Sequence, residues 1–117
     1  MKPELIVMLT HNDQTVENAI ELFETLKDSP VQHWGFKDVG LERHEMQKLV
    51  RNMKSAGKTT NLEVVSLSED EGLSGAKLAL NCGFDILMGI PGIPQPVPIS
   101  IVRSSVLFGM IPSAFSD

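Results

Sequence analysis

Four short apolar runs alternate with longer segments of helical periodicity along the first ninety residues. The runs cover residues 4–10, 31–37, 61–67 and 84–90, and each has the length and composition of a strand buried in a sheet. Between the runs, apolar residues recur every three or four positions, which is typical of an amphipathic helix with one buried face. In the first such segment these residues are Val16, Ala19, Ile20, Phe23 and Leu26. Regular alternation of strand and helix predicts parallel strands joined by right-handed crossovers.

Residues at the helix ends agree with this division. Thr15 or Asp13 can cap the exposed amides at the start of the first helix. Gly57 is placed for a left-handed cap after the second helix. Ser68, with Glu71 three residues later, has the capping-box spacing expected at the start of the third helix.

The alternation ends after Ile90. Four prolines between residues 91 and 98 exclude a fourth amphipathic helix there, because each proline removes an amide donor and blocks the preceding turn. We therefore divide the chain into a βα-repeat domain of residues 1–90 and a Pro-rich apolar tail of residues 91–117. Two segments of the tail, 99–102 and 105–108, are candidate short strands. There are two alternatives for the tail. It is an apolar arm that another chain covers, or it is the truncated or frame-shifted end of a longer domain.

Composition narrows the class of protein and partner. The chain has 117 residues, of which 42% are hydrophobic, enough for one domain with its own core. A net charge of -5 without a basic run excludes nucleic acid as the main partner. The run from Leu5 to Leu9 is too short to span a bilayer, and no basic signal precedes it, so we expect no membrane partner and a cytoplasmic location. Cys82, the single cysteine, is expected to be a small buried hydrophobe.

The candidate catalytic residues stand at or near the carboxyl ends of the second and third predicted strands, where ligands bind in α/β folds. Lys37 and Asp38 follow one strand, and Glu63 interrupts the apolar run of the next. A lysine ammonium can stabilise an enolate or, with a depressed pKa, form a Schiff base, and a carboxylate can move a proton. A buried Glu63 needs a partner, and Lys37 is the obvious one. The plain alternative for Lys37 and Asp38 is an ion pair on a solvated loop.

Five further residues at the strand ends are candidates for substrate binding. They are His11, Asn12, Asp13, Ser66 and Gly89. The first three also suit helix capping beside an exposed histidine, and a glycine would let a phosphate approach the backbone. A Gly-rich phosphate loop, which a nucleotide or flavin would need after the first strand, is missing from the sequence. We therefore predict no cofactor, and we assign no metal ligands.

The pattern at the strand ends resembles the first half of a (β/α)₈, or TIM, barrel. The segments that carry the resemblance are Thr10-His11-Asn12-Asp13, Phe36-Lys37-Asp38-Val39-Gly40, Leu62-Glu63-Val64-Val65-Ser66 and Asp85-Ile86-Leu87-Met88-Gly89. They are similar in layout to phosphosugar-binding barrels of the ribulose-phosphate epimerase-like and keto-gulonate-phosphate decarboxylase-like kinds, over residues 4–90. The Asp-x-Lys-x-x-Asp arrangement of the decarboxylases and the metal set of the epimerases are absent. The resemblance implies an α/β half barrel or truncated TIM barrel with its active site at the carboxyl ends of the strands.

Two functions are compatible with this layout. The first is a lyase or isomerase that acts on a small carbonyl compound by aldol, decarboxylation or isomerisation chemistry. We expect this compound to be phosphorylated. The second is a non-catalytic βα scaffold, or a truncated domain, that functions only by self-association. The competing fold is an open doubly wound sheet of flavodoxin type that uses the tail as a fifth strand.

A half barrel is also expected to leave one face of its sheet uncovered. Each large apolar side chain that stays exposed to water on this face would reduce the free energy of unfolding by about 1.5 to 3 kcal/mol. The side chains expected there are Ile6, Met8, Phe36, Leu62, Val64 and Ile86. We therefore predict a homodimer in which two copies pair face to face, or a tail that folds over the open face.

Overall fold

The computed structural model describes residues 5–65, 68–89 and 96–101. The elements in chain order are β1 (Ile6–Met8), β2 (Thr10–His11), β3 (Gln14–Thr15), α1 (Ala19–Leu26), β4 (His33–Lys37), α2 (Arg43–Ser55), β5 (Thr59–Glu63), α3 (Glu69–Cys82), β6 (Ile86–Met88) and β7 (Val97–Pro98). Residues 99–101 are helical. None of the described helices is long and apolar enough to cross a membrane.

A five-stranded, mostly parallel sheet organises the domain, with strand order β1-β4-β5-β6-β7. The first four strands run parallel, and the register aligns Met8, Gly35, Asn61 and Ile86 in one row across them. These four strands lie side by side in chain order, so the described sheet has no reversal of strand order. A doubly wound sheet needs such a reversal, and the competing flavodoxin-type arrangement is therefore wrong for this part of the chain. The predicted α/β class with parallel strands is confirmed.

The core lies on the face of the sheet that the helices cover. Its buried side chains come from alternate positions of the strands and from all three helices, of which α3 contributes only small ones. Phe23 of α1 meets Trp34 of β4 edge to face, with ring centroids 5.1 Å apart. Phe36 packs on Phe84 with centroids 5.0 Å apart. Rings in these arrangements contribute beyond their buried area, and they fix the helices against the strands.

Three residues expected on the open face lie in this core instead. Phe36 and Leu62 are fully buried, and Val64 is 3% exposed, with its side chain against the position of Gly75 in α3. Successive strand residues point to opposite faces, so an assignment shifted by one residue places a side chain on the wrong side. The expectation that Phe36, Leu62 and Val64 line the open face was wrong.

We call the other side of the sheet the second face. By alternation from the buried positions, it carries alternate residues of the four parallel strands. In rows from the carboxyl end downward these are Lys37, Glu63 and Met88, then Met8, Gly35, Asn61 and Ile86, then Ile6, His33 and Thr59. Most of them are neither fully buried nor fully exposed. The second face is thus partly polar, whereas a strand buried on both sides of a parallel sheet is normally apolar on both faces.

The segment after β1 forms a small hairpin rather than a plain loop. Strands β2 and β3 pair antiparallel across a two-residue turn, where Asn12 and Asp13 have φ angles of 53° and 62°. Positive φ at both central positions is the type I′ geometry that suits hairpins. Helix α1 consequently begins later than predicted, with Asn18 as its N-cap, so the expected cap by Thr15 or Asp13 was wrong.

The other helix ends follow the sequence. Gly57 and Gly83 have φ angles of 77° and 82° after α2 and α3, as left-handed caps require. The Ser68 side chain accepts a hydrogen bond from the Glu71 amide at 3.2 Å, which confirms the predicted cap of α3. Cys82 is buried, and this burial raises the pKa of its thiol.

The described part of the tail adds an edge strand. Val97 and Pro98 pair antiparallel with β6, and proline is tolerated at a sheet edge because that side needs no donor. Residues 99–101 are helical, so the candidate strand at 99–102 was wrong for these residues. The other candidate strand, 105–108, lies outside the described residues.

Candidate functional site

Lys37 is the last residue of β4, and its side chain lies on the second face at the carboxyl end of the strand. That side chain is only 12% exposed. Its Nζ lies 2.9 Å from Asp13 Oδ1 and 3.8 Å from Glu63 Oε2. The ammonium thus stands between two carboxylates from different elements, and we call these three residues the lysine cluster.

Asp13 reaches Lys37 because the hairpin is tied to the end of β4. Thr15 Oγ1 donates to the Lys37 carbonyl at 2.8 Å and accepts from the Lys37 amide at 3.0 Å. The Thr15 amide donates to the Val39 carbonyl at 2.8 Å. A Cβ at Gly40 would collide with the Thr15 backbone, so glycine is needed for this close approach. Sequence reasoning missed this role of Thr15, since nothing in the polar stretch distinguishes it from its neighbours.

The electrostatics of the lysine cluster keep the amine charged. The hydrogen bond to Asp13 is the largest cause that raises the pKa of Lys37, and Glu63 adds to it. The same hydrogen bond lowers the pKa of Asp13. A Schiff base needs a neutral amine, so the arrangement favours Lys37 as a cation that stabilises negative charge.

Glu63 is the last residue of β5 and stands directly across from Lys37 in the parallel register. The predicted pairing of these two side chains is confirmed at 3.8 Å. The Glu63 side chain is 41% exposed, however, so the expectation of a buried carboxylate was wrong. A carboxylate in contact with both water and an ammonium can exchange a proton with a ligand.

Asp38 points toward the helices rather than into the lysine cluster, although its negative charge adds to the rise in the pKa of Lys37. Its Oδ1 accepts a hydrogen bond from the Val65 amide at 2.9 Å, which links the ends of β4 and β5. Burial raises the pKa of Asp38, and this hydrogen bond opposes the rise. The residue borders a depression of about 330 Å³ whose other lining residues are Leu41, Arg43, Met46, Ser74, Gly75 and Leu78. Alternation along the chain therefore places Lys37 and Asp38 on opposite sides of the sheet.

The predicted substrate-binding residues are scattered. Of those that the structure describes, only Asp13 joins the lysine cluster, while His11 and Asn12 are exposed on the hairpin. Gly89 has a φ of 83°, and a Cβ there would collide with the Val64 carbonyl oxygen. Close packing is thus sufficient reason for a glycine at this position. Ser66 lies outside the described residues.

Asn61 is a polar residue of the second face that sequence reasoning missed. Its Nδ2 donates to the carbonyls of Trp34 and Thr59, both at 3.2 Å. The side chain is fully buried, and within the described part of the chain Oδ1 has no hydrogen-bond partner. Asn61 stands at the start of the apolar run that Glu63 interrupts, so its position in the sequence did not indicate a buried amide.

Comparisons with protein-family models, curated proteins and solved structures found no match. In the described part of the chain, no group of three or more histidine, cysteine, aspartate or glutamate side chains is placed to hold a metal ion. Any functional assignment therefore depends on the geometry of the lysine cluster and its surroundings.

Proposed function

We propose that this chain is a TIM-barrel-like lyase or isomerase, or the first part of one, that acts on a small carbonyl compound at the lysine cluster. The observation that carries the proposal is a lysine whose side chain is only 12% exposed and whose ammonium is held between two carboxylates at the strand ends. The order of the parallel strands, which follows the chain without reversal, supports the resemblance to half of a barrel. In such folds the carboxyl ends of the strands carry the chemistry.

The proposed chemistry is proton transfer next to a carbonyl group. Glu63 takes a proton from the carbon beside the carbonyl, and the electron pair of that C–H bond moves to form an enolate. The Lys37 ammonium faces the enolate oxygen and stabilises its charge. When the deprotonated carbon carries a hydroxyl group, the hydroxyl proton moves to the enolate oxygen and Glu63 returns its proton to the former carbonyl carbon, which completes an isomerisation. In an aldol addition the enolate carbon attacks a second carbonyl group, and the resulting alkoxide takes the proton from Glu63.

Charge limits where a phosphate group of the substrate can bind. Asp13 and Glu63 together outweigh Lys37, so the lysine cluster carries one net negative charge. A phosphate would be repelled there, and we place it away from the cluster, with only the carbonyl end beside Lys37. Asp38, on the other side of the sheet, is not part of this proposed step.

The test is proton exchange in deuterium oxide, followed by NMR with D-ribulose 5-phosphate and the unphosphorylated ketone hydroxyacetone. Wild type is expected to replace the protons beside the carbonyl with deuterium faster than buffer does. Lys37→Met and Glu63→Gln should abolish this acceleration. Lys27→Met is the matched control, because Lys27 pairs with Glu24 at 2.8 Å on an exposed helix face, and it should exchange like wild type. Exchange at the buffer rate in wild type, or equal rates in Lys37→Met, would refute the proposal.

A second candidate function, self-association without catalysis, is favoured by one observation. The apolar side chains Ile6, Met8, Ile86 and Met88 are only partly buried and share the second face. In this alternative the charges of the lysine cluster only pair with one another. Both candidates predict association, so the exchange experiment is the measurement that separates them.

A further inference from the structure

The buried amide of Asn61 has a fixed orientation that leaves one atom unsatisfied. Its Nδ2 donates to the carbonyl oxygens of Trp34 and Thr59. If the amide were flipped, Oδ1 would face these two acceptors and both hydrogen bonds would be lost. Oδ1 is therefore the atom that lacks a partner among the residues that the structure describes, and buried acceptors are nearly always paired in folded proteins.

Asn61 lies close to the lysine cluster on the same face of the sheet. The register pairs Lys37 with Glu63 and, two residues earlier, Gly35 with Asn61. Side chains two residues apart on a strand share a face and are separated by about 7 Å. An unsatisfied acceptor thus stands one row below the carboxylate that we propose as the base.

The space beside Asn61 is filled by a side chain that can move. Gly35 leaves a gap in the row of side chains, and its neighbours fill that gap closely, because a Cβ there would lie 2.5 Å from the Asn61 carbonyl oxygen and 2.9 Å from both Met8 Sδ and Asn61 Cβ. Met8 and Asn61 therefore border the same gap. Methionine is unbranched and flexible, so its displacement would open a path from the lysine cluster to Asn61.

We propose that Asn61 determines specificity in the site, with Oδ1 accepting a hydrogen bond from a hydroxyl group of the bound substrate. This inference rests on the proposed function and narrows its substrate class. The substrate is a polyhydroxylated carbonyl compound, long enough to place a hydroxyl about one row of the sheet away from the carbonyl held at Lys37. Binding displaces Met8 from the gap over Gly35. A short ketone binds at Lys37 without reaching Asn61.

The first test observes Asn61 directly in the wild-type protein. The side-chain amide resonances of Asn61 are followed by NMR during titration with D-ribulose 5-phosphate and, separately, with hydroxyacetone. The sugar phosphate should shift these resonances, and hydroxyacetone should leave them in place while it shifts the backbone amides around Lys37. Binding of the sugar phosphate without a change at Asn61 would overturn the inference.

The second test removes the acceptor. Asn61→Leu is expected to weaken binding of D-ribulose 5-phosphate about tenfold and to leave binding of hydroxyacetone unchanged. Thr59→Val, on the same face one row further down, is the matched control and should bind both compounds like wild type. Asn61→Ala replaces the leucine variant if circular dichroism shows that the larger side chain disturbs folding.

The outcomes separate this inference from the proposed function. If wild type binds both compounds and Asn61→Leu binds the sugar phosphate as tightly as wild type does, only the proposed role of Asn61 is refuted. If wild type binds neither compound, both the proposed function and the proposed role of Asn61 are refuted. Equal weakening for both compounds would also overturn the inference, because it would show a general disturbance of the site rather than the loss of one hydrogen bond.

Discussion

At the scale of single residues, Lys37 and Asp13 form an ion pair but differ in how far their side chains are exposed to solvent. The Lys37 side chain is 12% exposed, whereas that of Asp13 is 90% exposed. Exposed pairs add little to stability, so the pair matters mainly for the charge state of the lysine. Its function is therefore best tested by titration rather than by unfolding.

We predict that Asp13→Asn lowers the pKa of Lys37, because it removes the hydrogen bond that contributes most to raising it. The measurement is a pH titration of the protein with isotopically labelled, dimethylated lysines, followed by NMR. Asp28→Asn, in which the altered carboxylate has no part in the lysine cluster, should leave the pKa of Lys37 unchanged. A Lys37 pKa in Asp13→Asn equal to that of wild type would show that the pair has no influence on the amine.

The pH dependence of stability follows from the same pair. The folded-state pKa of Lys37 lies above its usual 10.5, so its contribution is complete below that pH and is lost as pH rises through the folded pKa. The pKa of Asp13 lies below its usual 3.8, so its contribution is present above that pH and is lost on acidification. Across the neutral range neither group changes charge.

At the scale of elements, a single threonine connects the hairpin to the sheet. Thr15 is 1% exposed, and its hydroxyl satisfies both the amide and the carbonyl of Lys37. The hairpin in turn carries Asp13 to the ammonium. The position of one member of the lysine cluster therefore depends on a neutral residue outside it.

We predict that Thr15→Val destabilises the protein by about 1 to 3 kcal/mol, the usual cost of leaving buried polar groups without a partner. Urea unfolding measures the loss, and hydrogen exchange at the Lys37 amide should speed up. Thr25→Val is the control, because Thr25 bonds to the Glu21 carbonyl on an exposed face of α1, and it should unfold close to wild type. Unchanged exchange at Lys37 in Thr15→Val would mean that the hydroxyl does not hold the hairpin.

At the scale of the whole molecule, the two faces of the sheet differ. Helices α1 to α3 bury one face completely in aromatic and aliphatic side chains. The second face mixes the lysine cluster and Asn61 with partly buried apolar residues. This mixture suits a surface that encloses a polar ligand and also contacts a second copy of the chain.

We predict that the protein forms a dimer at micromolar concentration through this face, because its apolar residues lose contact with water on pairing. Sedimentation velocity measures the mass. Ile86→Asp, which places a charge in the middle row of the second face, should give a monomer. Leu5→Asp alters a side chain that is 68% exposed and lies outside the strands, and it should remain a dimer. A monomeric wild type would rule out the predicted association.

The sequence by itself determined the four parallel strands, the three main helices and some of their ends, but not the hairpin or β7. Strand and helix periods differ, so the pattern located the four parallel strands and α1 to α3, and Gly57 marked the end of α2 because few other residues adopt positive φ. The pairing of Lys37 with Glu63 also followed from the sequence, since side chains at the ends of neighbouring parallel strands meet at one edge.

Only the tertiary structure decided which side chains share a face and which polar group reaches which partner. A shift of one residue along a strand changes the face, and this shift separated Asp38 from Lys37 and placed Phe36 among the helices. The pairing of Asp13 with Lys37, the role of Thr15 and the unsatisfied Oδ1 of Asn61 depend on contacts between residues more than twenty positions apart. Local patterns do not encode such contacts, because packing of distant segments sets them.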